Sequence, residues 1–381
     1  MRPSGRTGLN VPFRSHREKT INYHRSMEYK AIHVLAAAAL VLASCSNDST
    51  VEMRQGAEIR FRTAVGMNTR ALPTDLPALR QAGISVSAFA TTGNEKYEFS
   101  KLAFSYEEGS GWYSDPVRYW PEDGSELRFV AVSPEASEWG GTYEGDNIGE
   151  LKVTGFSPET DIAKQRDLLA GYTSGSKNDA AGVELVMHHA LTQVEIRAKS
   201  SDKVYRYDVK AVRIGSVRST GDYTFPSDAD ADGSWTLKDD SYASYTTEDL
   251  KEPVRLTADA ISLMGDGGTA MLLPQQLTAW NTTNDRQNTA NGSYIALLLK
   301  ITSDTGAQVY PTSVGEYGWA AVAIGNNWQS GDKIIYTLDL SNGAGVTPPD
   351  SDNPGESILG SPIHFTVTVN GWTLRQQEEN L

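Results

Sequence analysis

Residues 183–200 read VELVMHHALTQVEIRAKS. Apolar and polar residues alternate along most of this stretch. Successive side chains of a β-strand point to opposite faces of the sheet, so such alternation is typical of strands with one buried face. The stretch therefore predicts two β-strands, or one long bent strand.

The same alternation recurs on both sides of this stretch. It is found before it in AEIRFRTAV (57–65), GISVSAFAT (83–91), KLAFSYEEGSGWYSD (101–115) and ELRFVAVSP (126–134). After it come YRYDVKAVRIGSV (205–217), YIALLLKIT (294–302), GWAAVAIG (318–325), DKIIYTLDL (332–340) and IHFTVTVNGW (363–372). Clusters of Gly, Asp, Asn, Ser and Pro separate these runs, as expected of turns. Residues 157–171 are the one segment in the first half that could form a helical turn, and they could equally form a loop.

Many short strands separated by turn residues predict an all-β fold built from β-sandwiches. The polar segment at residues 199–203 is the best place for a domain boundary. The expected architecture is two tandem β-sandwich domains, residues 55–200 and 201–381. The acidic, Pro-rich segment TPPDSDNPGES (347–357) is interpreted as a loop or spacer before the last strand.

The chain has one cysteine, Cys45, at the end of MEYKAIHVLAAAALVLASC (27–45). A basic residue and an apolar run too short to span a bilayer precede it, as in a signal peptide. Leu-Ala-Ser-Cys resembles a bacterial lipobox, so residues 1–44 are interpreted as a signal region, Cys45 as the lipidation site, and residues 45–54 as a lipidated tether. The alternative is a buried core cysteine. Residues 1–26 do not fit a signal peptide, and translation is expected to start at Met27.

The formal net charge is −14. Seven basic and two acidic residues precede Cys45, which leaves −19 for the chain from Cys45 onward. Such a charge argues against binding to nucleic acid or to anionic lipid by electrostatics. No segment after Cys45 is apolar enough to cross a membrane.

Few motifs suggest chemistry. Asp228, Asp230 and Asp232 have the spacing of a calcium loop, but Asp239 stands where that loop has Glu, so a solvated turn is the favoured interpretation. His188 and His189 should point to opposite faces of a strand, one packed and one exposed. There is no Gly-x-Ser-x-Gly motif and no phosphate loop. No enzymatic activity, metal or cofactor is expected, and a sugar-stacking role for the aromatic residues is an alternative.

Taken together, several stretches resemble the fimbrillin family of Bacteroidales, the subunits of type V pili. They are RYWPEDGSELRFVAVSP (118–134), RDLLAGY (166–172), VELVMHHALTQVEIRA (183–198), GDYTF (221–225), AMLLPQQL (270–277), NWQSGDKIIYTLDL (327–340) and IHFTVTVNGW (363–372). Their order and spacing, and the NTRA string (68–71) after the lipoprotein signal, carry the resemblance.

The resemblance implies two transthyretin-like sandwiches and a structural role at the cell surface. In this family stalk subunits travel to the outer membrane as lipoproteins and are cut after an arginine, which here corresponds to Arg70, before Ala71. The first strand, with Ile59 and Phe61, is then lost. A strand from a neighbouring subunit replaces it.

The donor most consistent with the sequence is the C-terminal strand, with Ile363, Phe365, Val367 and Val369 on one face. The partners implied are other pilus subunits, identical or paralogous, and the outer membrane through the lipid anchor. The family also contains tip and anchor subunits and lipoproteins of unknown role. A glycan-binding surface lipoprotein and a hydrolase are the competing hypotheses.

Overall fold

A computed structural model describes residues 57–65, 76–91, 97–179, 181–227, 231–247, 250–265, 268–282 and 288–371. Cys45, Arg70 and Ala71 lie outside the described residues, as do the signal region and the tether. Within the described residues the fold consists of β-strands with a single α-helix, α1 (Leu76–Ala82), and two short 3₁₀ turns at Ala136–Glu138 and Ile162–Lys164. The prediction of an all-β fold is confirmed.

The strands are numbered along the chain. The first ten are β1 Phe61–Val65, β2 Ile84–Ala90, β3 Tyr97–Glu107, β4 Gly111–Ser114, β5 Leu127–Ser133, β6 Thr142–Glu144, β7 Lys152–Phe156, β8 Leu169–Gly175, β9 Val183–His189 and β10 Thr192–Lys199. The others are β11 Tyr205–Arg218, β12 Gly221–Thr224, β13 Ser234–Leu237, β14 Tyr242–Thr246, β15 Val254–Arg255, β16 Ile261–Ser262, β17 Ala270–Leu272, β18 Gln275–Gln276, β19 Tyr294–Ser303, β20 Gln308–Tyr310, β21 Gly318–Ala323, β22 Asn327–Trp328, β23 Asp332–Asp339 and β24 His364–Gly371.

Seven strands of the first half form a closed ring in the order β1-β4-β3-β2-β5-β8-β9. Neighbours in the ring are antiparallel except β1 and β9, which are parallel. Large apolar side chains fill the interior, among them Phe61, Phe99, Phe104, Trp112 and Phe129. The ring closes because β1 pairs with β4 on one side and with β9 on the other.

A further sheet, in the order β13-β12-β7-β6, covers part of the outer face of the ring. Strand β5 shows the consequence, since Phe129 and Ala131 face the ring interior while Val130 and Val132 pack under the covering sheet. Both faces of β5 are therefore buried. The pattern of alternation is weakest where a strand has two buried faces.

Two sheets, built from β10 and strands of the second half, enclose a separate core. One has the order β16-β10-β23-β24 with β17 also paired to β10, and the other has the order β14-β11-β19-β20 with β15 and β21 attached. The inward residues of β10, β11, β19 and β23 form this second core, for example Val194, Ile214, Leu297 and Tyr336.

Strands from the two halves of the sequence are paired with each other. Strand β10 precedes residue 200, yet it runs parallel to β23 from Gln193 to Lys199. Strand β7 likewise pairs with β12. The described residues all belong to one compact unit, and the division into domains at residues 199–203 stays a prediction.

Helix α1 was not expected from periodicity. It has only seven residues, but Pro77 stands in its first turn and Gly83 follows its last residue with φ of +80°. Proline near the start and a left-handed glycine after the end are typical helix boundaries. Leu79 anchors the helix in the core of the ring.

Candidate functional site

The candidate site is the position of β1 in the ring, between β4 and β9, which we call the β1 slot. Strand β1 runs parallel to β9 from Phe61, opposite Val183, to Val65, opposite Met187, and it is antiparallel to β4 where Phe61 faces Trp112. If β1 were absent, both β4 and β9 would have an unpaired edge. Unpaired strand edges bind an added strand readily.

The residues just before β1 are paired on both sides as well. The amide of Ile59 donates to the carbonyl of Arg118 at 2.8 Å, and the amide of Trp120 donates to the carbonyl of Ala57 at 3.0 Å. On the other side the amide of Val183 donates to the carbonyl of Arg60 at 2.8 Å. Loss of the segment would leave these backbone groups without partners inside the chain.

The side chains of this segment alternate strictly. Ile59 and Phe61 are 2% and 3% exposed, whereas Glu58, Arg60 and Arg62 are exposed. The ring of Phe61 makes edge-to-face contacts with Phe104 and Phe129, each with 5.1 Å between centroids. Such pairs add about 0.5–1.5 kcal/mol beyond the area they bury. Ile59 and Phe61 therefore fill the slot, and their role in strand exchange stays a prediction.

Thr63 makes the one side-chain hydrogen bond between β1 and β4 in the described residues. Trp112 Nε1 donates to Thr63 Oγ1 at 2.7 Å. The indole is 1% exposed. A buried donor that loses its acceptor costs about 1–3 kcal/mol. The otherwise apolar slot therefore favours a strand that offers a hydrogen-bond acceptor at the position of Thr63.

Arg70 and Ala71 belong to residues 66–75, which connect β1 to α1 and lie outside the described residues. The structure therefore leaves cleavage at Arg70 as a prediction. Cleavage anywhere in this connection would separate β1 from the rest of the ring, because β1 has no other covalent link to it.

The predicted donor strand lies in the other half of the molecule. Strand β24 pairs antiparallel with β23 along its whole length and forms the end of its sheet in the described residues. Ile363 is 3% exposed, Phe365 and Val367 are partly buried against the second core, and Val369 is 55% exposed. The structure thus places β24 in its own sheet and does not bring it to the β1 slot.

One neighbour of β24 is deeply buried. Tyr336 of β23 lies opposite Val367, and its ring is 6.0 Å from that of Phe365. Burial raises the pKa of Tyr336, although its hydroxyl accepts a hydrogen bond from Trp328 Nε1 at 3.0 Å. The inner face of β24 therefore packs on the second core through Phe365 and Val367, and both side chains stay partly exposed.

The two adjacent histidines each pair with an aspartate. His188 Nδ1 lies 3.1 Å from Asp232, and His189 Nδ1 lies 2.7 Å from Asp167. The expectation that one histidine would be exposed is wrong, because their side chains are 14% and 5% exposed. The segment that carries Asp232 covers His188 on the outer face of β9.

The aspartate loop offers no described metal site. Asp228 and Asp230 lie outside the described residues, and Asp232 contacts His188. Among the described residues, no group of three or more His, Cys, Asp or Glu side chains is placed to hold a metal ion. In the same residues no helix has the length and apolar character needed to cross a membrane.

A cavity of about 640 Å³ lies beside the covering sheet. Trp139 and Phe156 line it with Gln165, and the ion pair between Glu138 and Arg166 stands at its edge. Gln165 donates to the carbonyl of Glu159 and accepts from the amide of Met271, both at 2.7 Å. Both the nitrogen and the oxygen of the Gln165 side-chain amide are therefore hydrogen-bonded within the chain.

Two tyrosines lie exposed beside the β1 slot. Tyr113 on β4 is 46% exposed and Tyr119, which is bridged to Glu58, is 37% exposed. Sequence reasoning identified neither these tyrosines nor Trp112 as neighbours of β1. The Gly-rich turn predicted the hairpin that carries Trp112 and Tyr113. It did not predict the pairing of this hairpin with β1, which lies about fifty residues earlier in the chain.

Comparison with known proteins gives a consistent result. A family model described as fimbrillin-like matches residues 69–372. A fimbrial protein from Bacteroides vulgatus has a TM-score of 0.57 and 17% identity, with 83% of this chain and 99% of that chain covered. At this identity the likeness shows the fold alone.

Two further solved structures are more distant. A putative cell adhesion protein from Bacteroides ovatus has a TM-score of 0.47 and 10% identity, with 85% of this chain and 100% of that chain covered. One from Bacteroides uniformis has a TM-score of 0.41 and 16% identity, with 83% and 98% covered. None of the curated proteins matches the chain.

Proposed function

The chain belongs to the fimbrillin-like family, and from this premise we propose that it is a structural subunit of a cell-surface type V pilus. It is exported as an outer-membrane lipoprotein through Cys45, assembled by strand exchange, and supports adhesion. Family membership itself makes it a pilus or adhesin-like subunit. The observation that carries the rest of the proposal is the position of β1.

Strand β1 is suited to removal and replacement. It closes the ring by its edges, and it directly precedes the connection that contains Arg70. Removing it exposes the rings of Phe104 and Phe129, and burial of each large apolar side chain is worth about 1.5–3 kcal/mol. An empty slot therefore binds an apolar strand from a neighbouring subunit, identical or paralogous.

The sequence of β24 supports its role as a donor. Residues 59–65 read IRFRTAV and residues 363–369 read IHFTVTV, so both have Ile, then Phe two residues later, and Val at the seventh position. In this alignment Ile363 corresponds to Ile59 and Phe365 to Phe61. The loop at residues 347–357 before β24 folds back on itself, with Val346 bridged to Ser357. In the described residues β24 is paired on one side only, with β23, so its departure breaks the pairing with that single strand.

Treatment with an arginine-specific protease tests the proposal. We expect cleavage after Arg70, loss of residues up to Arg70, and growth of the remaining chain into polymers. The Arg70→Ala variant should stay uncut at this position and monomeric, whereas Arg80→Ala, which changes an exposed arginine of α1, should behave as the unmodified chain. The readouts are the new N-terminus and the size distribution. A chain cut at Arg70 that stays monomeric at high concentration contradicts the stalk role.

The exposed Tyr113 and Tyr119 favour one alternative, a glycan-binding lipoprotein that does not polymerise. Tyrosine rings stack on sugars through their apolar faces. This function predicts glycan binding by the uncut chain that is lost on Tyr113→Ala and Tyr119→Ala, with no polymer after cleavage.

A further inference from the structure

The indole N–H of Trp112 is a buried donor that depends on β1. Its one acceptor among the described residues is Thr63 Oγ1, at 2.7 Å, and the side chain is 1% exposed. Trp112 itself belongs to β4, which stays in the ring when β1 leaves. When β1 leaves, the slot therefore presents an apolar surface, the unpaired backbone groups of β4 and β9, and an indole N–H that has lost its protein acceptor.

We propose that Trp112 determines which strand the slot accepts, by favouring a strand with Thr or Ser two residues after its aromatic residue. The inference rests on the proposed exchange of β1. An apolar residue at that register fills the space but leaves the indole N–H unpaired, and a buried donor without a partner keeps its full desolvation cost. A hydroxyl at that register restores the hydrogen bond.

This selection bears on the identity of the partner subunit. In the alignment that puts Ile363 on Ile59 and Phe365 on Phe61, the position of Thr63 is occupied by Val367. Valine has nearly the shape of threonine but no acceptor. The C-terminal strand of a second copy therefore binds less tightly than an otherwise equal strand with a hydroxyl. The slot favours a different, related subunit whose donor strand reads apolar-x-aromatic-x-Thr/Ser.

A double-mutant cycle on the full, uncut chain tests the Trp112 contact. Thr63→Val should lower the folding equilibrium constant about tenfold or more in the presence of Trp112. In the Trp112→Phe background the same change should have little effect, because no donor is left unpaired. Thr63→Ser keeps the hydroxyl and should stay close to the unmodified chain. An equal effect of Thr63→Val in both backgrounds would overturn the proposal.

Peptide exchange tests the selection of partners. The chain cut at Arg70 is mixed with a labelled peptide of residues 362–371 or with the same peptide carrying Val367→Thr, and binding is followed by fluorescence anisotropy. We expect the threonine peptide to bind about tenfold more tightly to the chain with Trp112 and equally to Trp112→Phe. Equal binding of both peptides to the chain with Trp112 contradicts the inference while strand exchange stands. A cut chain that binds neither peptide contradicts both strand exchange and the selection of partners. The double-mutant cycle still measures the coupling between Trp112 and Thr63 in that case, because it uses the uncut chain.

Discussion

Replacing Phe61 with alanine is expected to lower the free energy of unfolding by about 3–5 kcal/mol, the range found for buried phenylalanines. Phe61 is 3% exposed and makes edge-to-face contacts with Phe104 and Phe129. Its removal leaves a cavity at the position where β1 joins β4 and β9. Urea unfolding, followed by tryptophan fluorescence, measures the change from the shift of the midpoint at constant slope.

Arg60→Ala is the matched control on the same segment. Arg60 points outward, 52% exposed, and pairs with Glu58, which is 39% exposed. Exposed ion pairs of this kind contribute at most about 1 kcal/mol and often nothing measurable. Equal losses of stability for Phe61→Ala and Arg60→Ala would contradict the inference that the inner face of β1 supports the ring.

Replacing Cys45 with alanine is expected to move the protein from the membrane fraction to the soluble fraction. The thiol is the attachment point for lipid in the lipobox interpretation, and each buried methylene of an acyl chain contributes about 0.8 kcal/mol. One chain alone binds a membrane only marginally, whereas several chains anchor firmly. Loss of all of them therefore removes the anchor completely. Fractionation of cells followed by immunodetection measures the distribution.

Ser49→Ala is the control for this experiment, because it changes the polar segment after Cys45 and keeps the thiol. It should stay in the membrane fraction. If the Cys45→Ala protein still sediments with membranes after a high-salt wash, then the anchor lies elsewhere and the lipobox interpretation is wrong.

The alternation of residues predicted twelve of the twenty-four strands in the described residues, and it missed the covering sheet β13-β12-β7-β6. The AEIRFRTAV segment shows Ile59 and Phe61 buried with Arg60 and Arg62 outside, and residues 183–200 form β9 and β10 as two separate strands. Helix α1 was missed because seven residues are too few to show a helical period, although Pro77 and Gly83 marked its ends. The exposure of His188 was mispredicted because a segment distant in sequence covers it.

The amino-acid sequence by itself determined the all-β class, the inward face of strands such as β1, the fimbrillin resemblance and the candidate lipidation and cleavage residues. Only the tertiary structure decided which strands are neighbours: that β1 closes a ring between β4 and β9, that β10 pairs with β23, and that Trp112 donates to Thr63. The physical reason is that alternation shows which face of a strand is buried, and this depends only on the side chains of the strand itself. The choice of neighbour depends on packing between segments far apart in the chain, and a period of two is compatible with many such pairings.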